Sequence, residues 1–438
     1  MKRSIIIEKF KQERAFLVGV QIAQETDSHF QEYMQELHQL ANTAGVKVMD
    51  TIVQRLDKPK TATYVGSGKL QQIKNKARPK KVNTLIFNNN LSPSQQRNIS
   101  DVSGCNVVDR TELILDIFAK HARTKQAKLQ VELAQLEYSY TKLKNRWKHL
   151  SRIQGGIGFR GPGETQIEVD RREIQKKTTL LKKKLENIEN ITANKRKQRQ
   201  KLTSISLVGY TNAGKSTLFK KLTQQKRYVA DKLFATLDSK TRAISTSSEK
   251  VLLTDTIGFI RNLPHRLVSS FHATLLDVLD ADLLLHVVDV SHPYLAEMIE
   301  AVEKVLQELQ IGDKNILMVF NKCDLVGGKH FKFQKKELKT KYPDSVFISA
   351  RSGQGLEQLQ QKIDYFLEKH KLFRELDIPI QMQSLINFLH EHAEVISEKY
   401  DSEANSMKMK VKISRQLFPN IKNQIENFRL MKYINKEE

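Results

Sequence analysis

Two cysteines in 438 residues, Cys105 and Cys323, are too few for a disulfide framework and have no zinc-binding spacing, so a reducing compartment is expected. Long hydrophobic runs are missing as well. No stretch approaches the roughly 18 apolar residues of a membrane span. The N-terminal segment MKRSIIIEKFKQERAF has only three consecutive apolar residues before charge returns, which does not fit a signal peptide. A cytoplasmic protein is the expectation, with a monomer as default because no long unpaired coiled-coil seam is evident. Acidic residues are also scarce, 49 against 73 Lys and Arg, leaving a formal charge of +24. That imbalance points to a polyanionic partner. It is unevenly spread: residues 118–200 hold 21 Lys/Arg and 8 Asp/Glu, or +13.

What is present is led by one ordered pair of motifs. Gly209-Tyr210-Thr211-Asn212-Ala213-Gly214-Lys215-Ser216, followed by Thr217, has the spacing of a phosphate loop. Backbone N–H groups close around the phosphates, Lys215 neutralises them, and the Ser216 hydroxyl is placed for Mg²⁺. The loop lies between an apolar, β-branched run, 203–208, and a helical pattern from Ser216 to Leu222, as a strand-to-helix turn requires. Downstream, Asn321-Lys322-Cys323-Asp324 ends the apolar run 315–320. A carboxylate at Asp324 can accept from the paired N1 and N2 donors of guanine, and adenine offers no such pair. Together the motifs predict a GTP-binding protein. Ser349-Ala350, extended to Arg351, fits the second base-contacting turn.

Between these elements stands Asp255-Thr256-Ile257-Gly258. In a phosphate-loop protein its Asp holds Mg²⁺ through water and the Gly258 N–H meets the γ-phosphate. Phe234-Ala235-Thr236-Leu237-Asp238 offers a threonine that completes the Mg²⁺ shell only when the γ-phosphate is bound, as switch loops do. On spacing alone Thr236 competes with Thr241. Phe259 stands where many GTPases carry a water-orienting glutamine. Phenylalanine cannot orient water, so either hydrolysis is slow or a partner supplies the group, and the second is the favoured reading.

The chain is long enough for several domains. Its fold class is expected to be multidomain α/β. Residues 1–110 alternate apolar runs (16–22, 47–56, 82–88, 105–108) with helical patterns at 29–41 and 92–102, predicting a small parallel α/β domain. Within it, Tyr64-Val65-Gly66-Ser67-Gly68-Lys69 reads as a structural loop in preference to a second nucleotide or RNA contact. Residues 111–200 contain a single proline, Pro162. Leu129, Leu133, Leu136, Tyr140, Leu143, Trp147 and Leu150, matched by Ile174, Leu181, Leu185, Ile188 and Ile191, predict a long antiparallel helical hairpin. Its glycine-rich tip, 155–163, reads as a nucleic-acid probe, with Arg152, Phe159 and Arg160 meeting phosphates or stacking on bases. A Ras-like phosphate-loop GTPase domain is expected over 201–370. A small α/β domain is expected over 371–438, with a helix over 377–396 and a strand, 407–413, whose lysines make a basic face.

The segments GGIGFRGPGETQIEVDRR at 155–172, GYTNAGKST at 209–217, FATLD at 234–238 and DTIGF at 255–259, with YVGSGK upstream, closely resemble the bacterial HflX GTPases over about residues 10 to 370. The resemblance implies a GTPase that binds the large ribosomal subunit and its RNA and acts in ribosome splitting, rescue, recycling or biogenesis. It also implies Ser216 and Thr236 as Mg²⁺ ligands, with Asp255 acting through water. Lys215, Thr236 and Gly258 are then the catalytic set, GTP and GDP the ligands, and an apolar residue at position 259 a family feature. The family's N-terminal domain is associated with ATP, for which no motif here names residues. One alternative is an ATP-dependent remodeller of ribosomal RNA regulated by its GTPase domain. Another is a regulator bound peripherally to anionic membranes through the basic helices.

Overall fold

The computed structural model describes residues 13–153, 162–199, 202–224, 233–234, 239–247, 250–261, 277–311, 314–402, 404–414 and 417–434. The chain divides into two units, one built on residues 1–189 together with 229–238 and 260–275, the other on the remainder.

In the first unit, short apolar runs pair as β1 (Arg14–Ile22), β2 (Lys47–Leu56), β3 (Thr84–Phe87) and β4 (Asn106–Val108). They form an all-parallel sheet in the order β2-β1-β3-β4. Parallel pairing needs crossovers, and α1 (Asp27–Thr43), α2 (Ser67–Ala77) and α3 (Pro93–Ser103) supply them. Phe16, Val18, Leu70, Ile73, Leu85, Phe87 and Ile99 close the core. Helix starts are written locally: Ser92 and Gln95 form a reciprocal capping box at α3, satisfying two otherwise orphaned N–H groups. The Tyr64–Lys69 segment is a turn into α2, with the Gly66 N–H donating to Gln54 Oε1 at 2.9 Å and Val65 fully buried.

The chain beyond Asp109, expected to enter the hairpin directly, first forms a separate helix, α4 (Arg110–His121). Asp109 and Glu112 cap its start, and Ala122 leaves it in an extended conformation. Its Leu113, Ile114, Ile117 and Phe118 are buried. The two long helices follow as α5 (Lys125–Ile153) and α6 (Pro162–Arg199). Leu129, Leu133 and Leu136 pack against Leu181 and Leu185, the antiparallel seam read from the sequence. Further along, the seam turns polar: the Tyr140 hydroxyl accepts from Arg171 Nε and Gln175 Nε2, both at 3.1 Å.

A buried ionic brace seats the hairpin on the α/β domain. Asp109, with no exposed surface, accepts from the Tyr138 hydroxyl at 2.6 Å and Lys142 Nζ at 3.0 Å, and Lys142 also reaches Glu112 at 2.6 Å. Arg110 pairs with Glu36 of α1 at 3.0 Å. This unit also includes Phe234, whose ring meets Phe118 edge-on at 4.6 Å. Arg261 belongs to it too, paired with Glu32 and 4.9 Å from the Tyr33 ring centroid.

In the second unit, β5 (Ser204–Val208), β6 (Lys240–Ser245), β7 (Lys250–Asp255), β8 (Leu283–Asp289), β9 (Asn315–Asn321) and β10 (Val346–Phe347) form a sheet in the order β10-β9-β8-β5-β7-β6. Only β6 pairs antiparallel. α7 (Lys215–Leu222), α8 (Leu295–Glu308), α9 (Gly328–Lys341) and α10 (Leu356–His370) accompany it. The sheet is almost entirely apolar inside, as parallel strands covered on both faces must be.

The C-terminal segment corrects two expectations. The helix foreseen over 377–396 is α11 (Gln383–His392), flanked by β11 (Lys371–Pro379) and β12 (Glu394–Asp401). Leu376 and Ile378 are buried while Glu375 and Asp377 face out, a strand alternation that Pro379 ends. β13 (Ser406–Ser414) lies between β11 and β12, and α12 (Leu417–Ile434) packs its Ile421 and Ile425 into the same core. Its lysine face is neutralised: Lys408 pairs with Asp401, Lys410 with Glu375, and Lys412 lies near Glu368 and Glu394.

Near the ionic brace, burial pushes the Asp116 carboxyl up to about 7, aided by the negative charge of Glu112 and Glu13 and opposed by Lys120. A raised carboxyl pKa favours folding fully below the unfolded value and loses that contribution as pH rises through 7. Asp116→Asn is therefore expected to stabilise this unit by on the order of 2 kcal/mol at pH 8 and by little at pH 4. Urea unfolding followed through Trp147 fluorescence checks this.

Candidate nucleotide site

β5 ends at Val208, and the chain turns through the phosphate-loop motif into α7, which begins at Lys215. The turn requires left-handed backbone at Asn212 (φ 61°) and Gly214 (φ 95°). A Cβ on Gly214 would also lie 2.2 Å from Asn321 Nδ2, so only glycine fits. Ala213 is buried and Thr217 lies in the first turn of α7. Thr211 Oγ1 is buried without a hydrogen-bond partner among the described residues, an unsatisfied polar atom within the loop motif.

Lys215 is the charged group of this loop. Its Nζ donates to the carbonyls of Gly209 at 2.9 Å and Tyr210 at 2.7 Å. Complete burial pulls its pKa down to about 8, with Asp255 opposing. The neighbouring β8 residue His286 is pushed down to about 3 by burial and then by Lys215, so it stays neutral beside the ammonium. Nothing in the motif pattern pointed to His286. It is recognisable only once β5 and β8 are paired.

Ser216 Oγ donates to Asp255 Oδ2 at 2.8 Å, bringing the two proposed Mg²⁺-side residues together from α7 and the end of β7. Both are hard oxygen donors, the set Mg²⁺ prefers. Thr256 is buried and its hydroxyl donates to Leu207 O at 2.5 Å, anchoring the segment to β5. Ile257 is buried too. Gly258 lies against the loop: a Cβ there would meet Thr211 Cγ2 at 2.8 Å and Lys215 Nζ at 3.1 Å. Phe259 is stitched to the same loop, its N–H donating to Gly209 O at 3.1 Å and its carbonyl accepting from Thr211 N–H at 2.7 Å. Its side chain is 3% exposed and serves packing.

Ala235, Thr236, Leu237 and Asp238 lie outside the described residues. Phe234, just before them, has left-handed backbone (φ 53°) and is buried. Thr241 is part of β6, its hydroxyl 3.0 Å from that of Thr254.

The base-reading side forms around Asn321. Its Nδ2 donates to Ala213 O at 2.8 Å, and its Oδ1 accepts from the Ala350 N–H at 2.9 Å. The phosphate loop, the Asn321–Asp324 turn and the Ser349–Ala350 turn are thus one hydrogen-bonded assembly. Lys322 turns left-handed (φ 65°) and pairs with Asp289 at 2.7 Å. Asp289, at the end of β8, is a supporting residue the motif search missed. Cys323 donates its N–H to Ile348 O, and burial first of all raises its thiol to about 11, so it stays protonated. Asp324 is exposed on the short 3₁₀ turn Cys323–Leu325. Ser349 is fully buried and Arg351 exposed.

Of the hairpin residues read as RNA contacts, Phe159 and Arg160 lie outside the described residues. Arg152 is described only as helical backbone of α5. Among the described residues no helix is long and apolar enough to cross a membrane.

Because Lys215 is held near 8, binding a polyphosphate favours its ammonium form, so nucleotide binding takes up a fraction of a proton around pH 8 to 9 and affinity falls as pH rises through that range. Calorimetry in buffers of different ionisation enthalpy reads this directly, and zero uptake at pH 8.5 contradicts it. Comparison with known proteins bears on the same residues. Family models match in succession along the chain: "GTP-binding GTPase N-terminal" over 31–119, "GTP-binding GTPase Middle Region" over 121–199 and "50S ribosome-binding GTPase" over 204–322. A GTPase HflX of Flavobacterium psychrophilum is 40% identical over 371 residues, covering 80% of this chain and 89% of the relative. One from Caldanaerobacter subterraneus is 41% identical over 425 residues, covering 95% and 94%. The Escherichia coli K12 protein of the same name is 39% identical, covering 92% and 93%. With this identity along nearly its whole length, the chain belongs to the HflX family of GTPases and hydrolyses GTP.

Proposed function

We propose that this GTPase is a ribosome-triggered switch: it binds the large ribosomal subunit with GTP loaded, hydrolyses it in response to that contact, and acts in splitting or rescuing ribosomes, or in their recycling or biogenesis. The observation that carries this reading is the nucleotide assembly tied by Asn321, on a chain whose family includes a domain described as "50S ribosome-binding GTPase". The basic charge of the hairpin supports ribosomal RNA as the surface met, and the glycine-rich tip 155–163 is the element proposed to probe it.

Asp324 accepts from the guanine ring, and Lys215 stabilises charge developing on the transferred phosphoryl group. Ser216 and Thr236 would hold Mg²⁺, with Asp255 reaching it through water, and the ion would neutralise phosphate charge. Phe259 is buried and cannot orient the attacking water, which supports a water-positioning group contributed by the partner. Phe234 borders the Thr236 segment and Arg261 follows Phe259. Both are packed into the first unit against Phe118, Glu32 and Tyr33.

GTP hydrolysis by the purified protein is expected to rise roughly tenfold or more on adding large ribosomal subunits, and Gly161→Pro in the tip to remove that rise while leaving the basal rate. Equal rates with and without subunits overturn the reading. Asp324→Asn replaces an acceptor by a donor and is expected to weaken GTP binding at least about 100-fold, read by fluorescent-nucleotide titration.

A further inference from the structure

The second unit carries a basic and aromatic surface on the helix that follows the Asn321–Asp324 turn. α9 (Gly328–Lys341) has six lysines, Lys329, Lys332, Lys335, Lys336, Lys339 and Lys341, against a single carboxylate, Glu337. Phe331 and Leu338 turn inward to the core. On the outer face stands Phe333, 71% exposed and the most exposed large apolar side chain among the described residues. Lys329 and Lys336 lie one helical turn before and after it, with Lys332 adjacent, all exposed. None of these three forms an ion pair among the described residues.

The basic character continues past the short edge strand β10 onto α10 (Leu356–His370). Lys335 and Lys339 lie over the Phe347 ring at 5.1 and 5.9 Å. Lys362 lies 5.8 Å from the ring centroid of Tyr365, which is itself 63% exposed. Burial, then the positive charge of Lys362 and Lys335, holds Lys339 below the ordinary amine range. Asp344, paired with Lys362 at 2.7 Å, offsets only part of this field.

An exposed phenyl ring forgoes the stabilisation that burying it would contribute, and lysines on both sides repel one another. A ligand with a flat π-face and flanking negative charges relieves both costs. A lipid surface fits less well, because the outer face of α9 has one apolar side chain among Lys329, Lys332, Lys336, Glu337 and Thr340, too few to insert. We infer that the outer face of α9, centred on Phe333 and flanked by Lys329, Lys332 and Lys336, is a docking site for single-stranded RNA. A base stacks on Phe333 while the lysines grip the neighbouring phosphates without reading sequence. The site shares its class of partner with the proposed function but stands on a different element from the hairpin tip.

The test uses the full chain and a ten-nucleotide single-stranded RNA, with duplex RNA and anionic phosphatidylserine vesicles as comparison probes. Ultraviolet crosslinking followed by peptide mapping is expected to mark the Phe333 peptide. Phe333→Ala should weaken single-stranded binding roughly tenfold and leave duplex binding unchanged. The double variant Lys329→Glu, Lys336→Glu should reduce the slope of log affinity against log salt by about 1.4. Basal GTP hydrolysis should be unchanged in all variants, which reports an intact fold. Crosslinks confined to other segments, unchanged affinity in Phe333→Ala, or vesicle binding that alone depends on these residues would overturn the inference. Loss of ribosome stimulation in Gly161→Pro is read separately, so the two proposals can fail independently.

Discussion

The side-chain amide of Asn321 is the constraint on which the nucleotide site depends. One side of the amide holds the phosphate loop through Ala213 O, and the other holds the Ser349–Ala350 turn through the Ala350 N–H. With Asn321 only 2% exposed, neither bond competes with water, and losing either would leave a buried polar group unsatisfied. The same amide explains Gly214, since a side chain there would collide with it. Three chain segments distant in sequence are thereby held together as one hydrogen-bonded assembly.

β5, β8 and β9 are buried, fully paired strands that set the position of the loop. Asp255 ends β7 and accepts from Ser216, while Phe259, four residues on, is held by backbone hydrogen bonds to Gly209 and Thr211 of the loop. The residues flanking the switch segments, Phe234 and Arg261, are anchored in the first unit instead.

The positive charge of the chain does different work in different places. On β13 it is offset strand against strand by Asp401, Glu375 and Glu394. On α5 the Lys142 ammonium is drawn into the Asp109–Glu112 brace and fixes the hairpin base. On α9, Lys329, Lys332 and Lys336 stand without carboxylate partners among the described residues, around an exposed ring. Net charge alone could not separate these cases, because neutralisation depends on which strands and helices become neighbours.

Much of the architecture was legible in the residues. The apolar runs of the first hundred positions recur as β1 to β4 within a few residues of the expected bounds, because parallel buried strands need continuous apolar sequence. The hairpin seam was legible from Leu129, Leu133 and Leu136 against Leu181 and Leu185, since helical periodicity identifies the faces that meet. α2 and α4 were missed, and the end of β11 and the start of β12 were read as parts of one helix, because propensity is weak where tertiary pairing decides. The phosphate loop and Asn321–Asp324 were identifiable from spacing, which the chemistry of phosphate and guanine dictates locally. Only the tertiary structure could decide the roles of His286, Asp289 and Phe234, the neutralised face of β13 and the double grip of Asn321. Each of these depends on groups brought together across long sequence separations by sheet pairing and core packing.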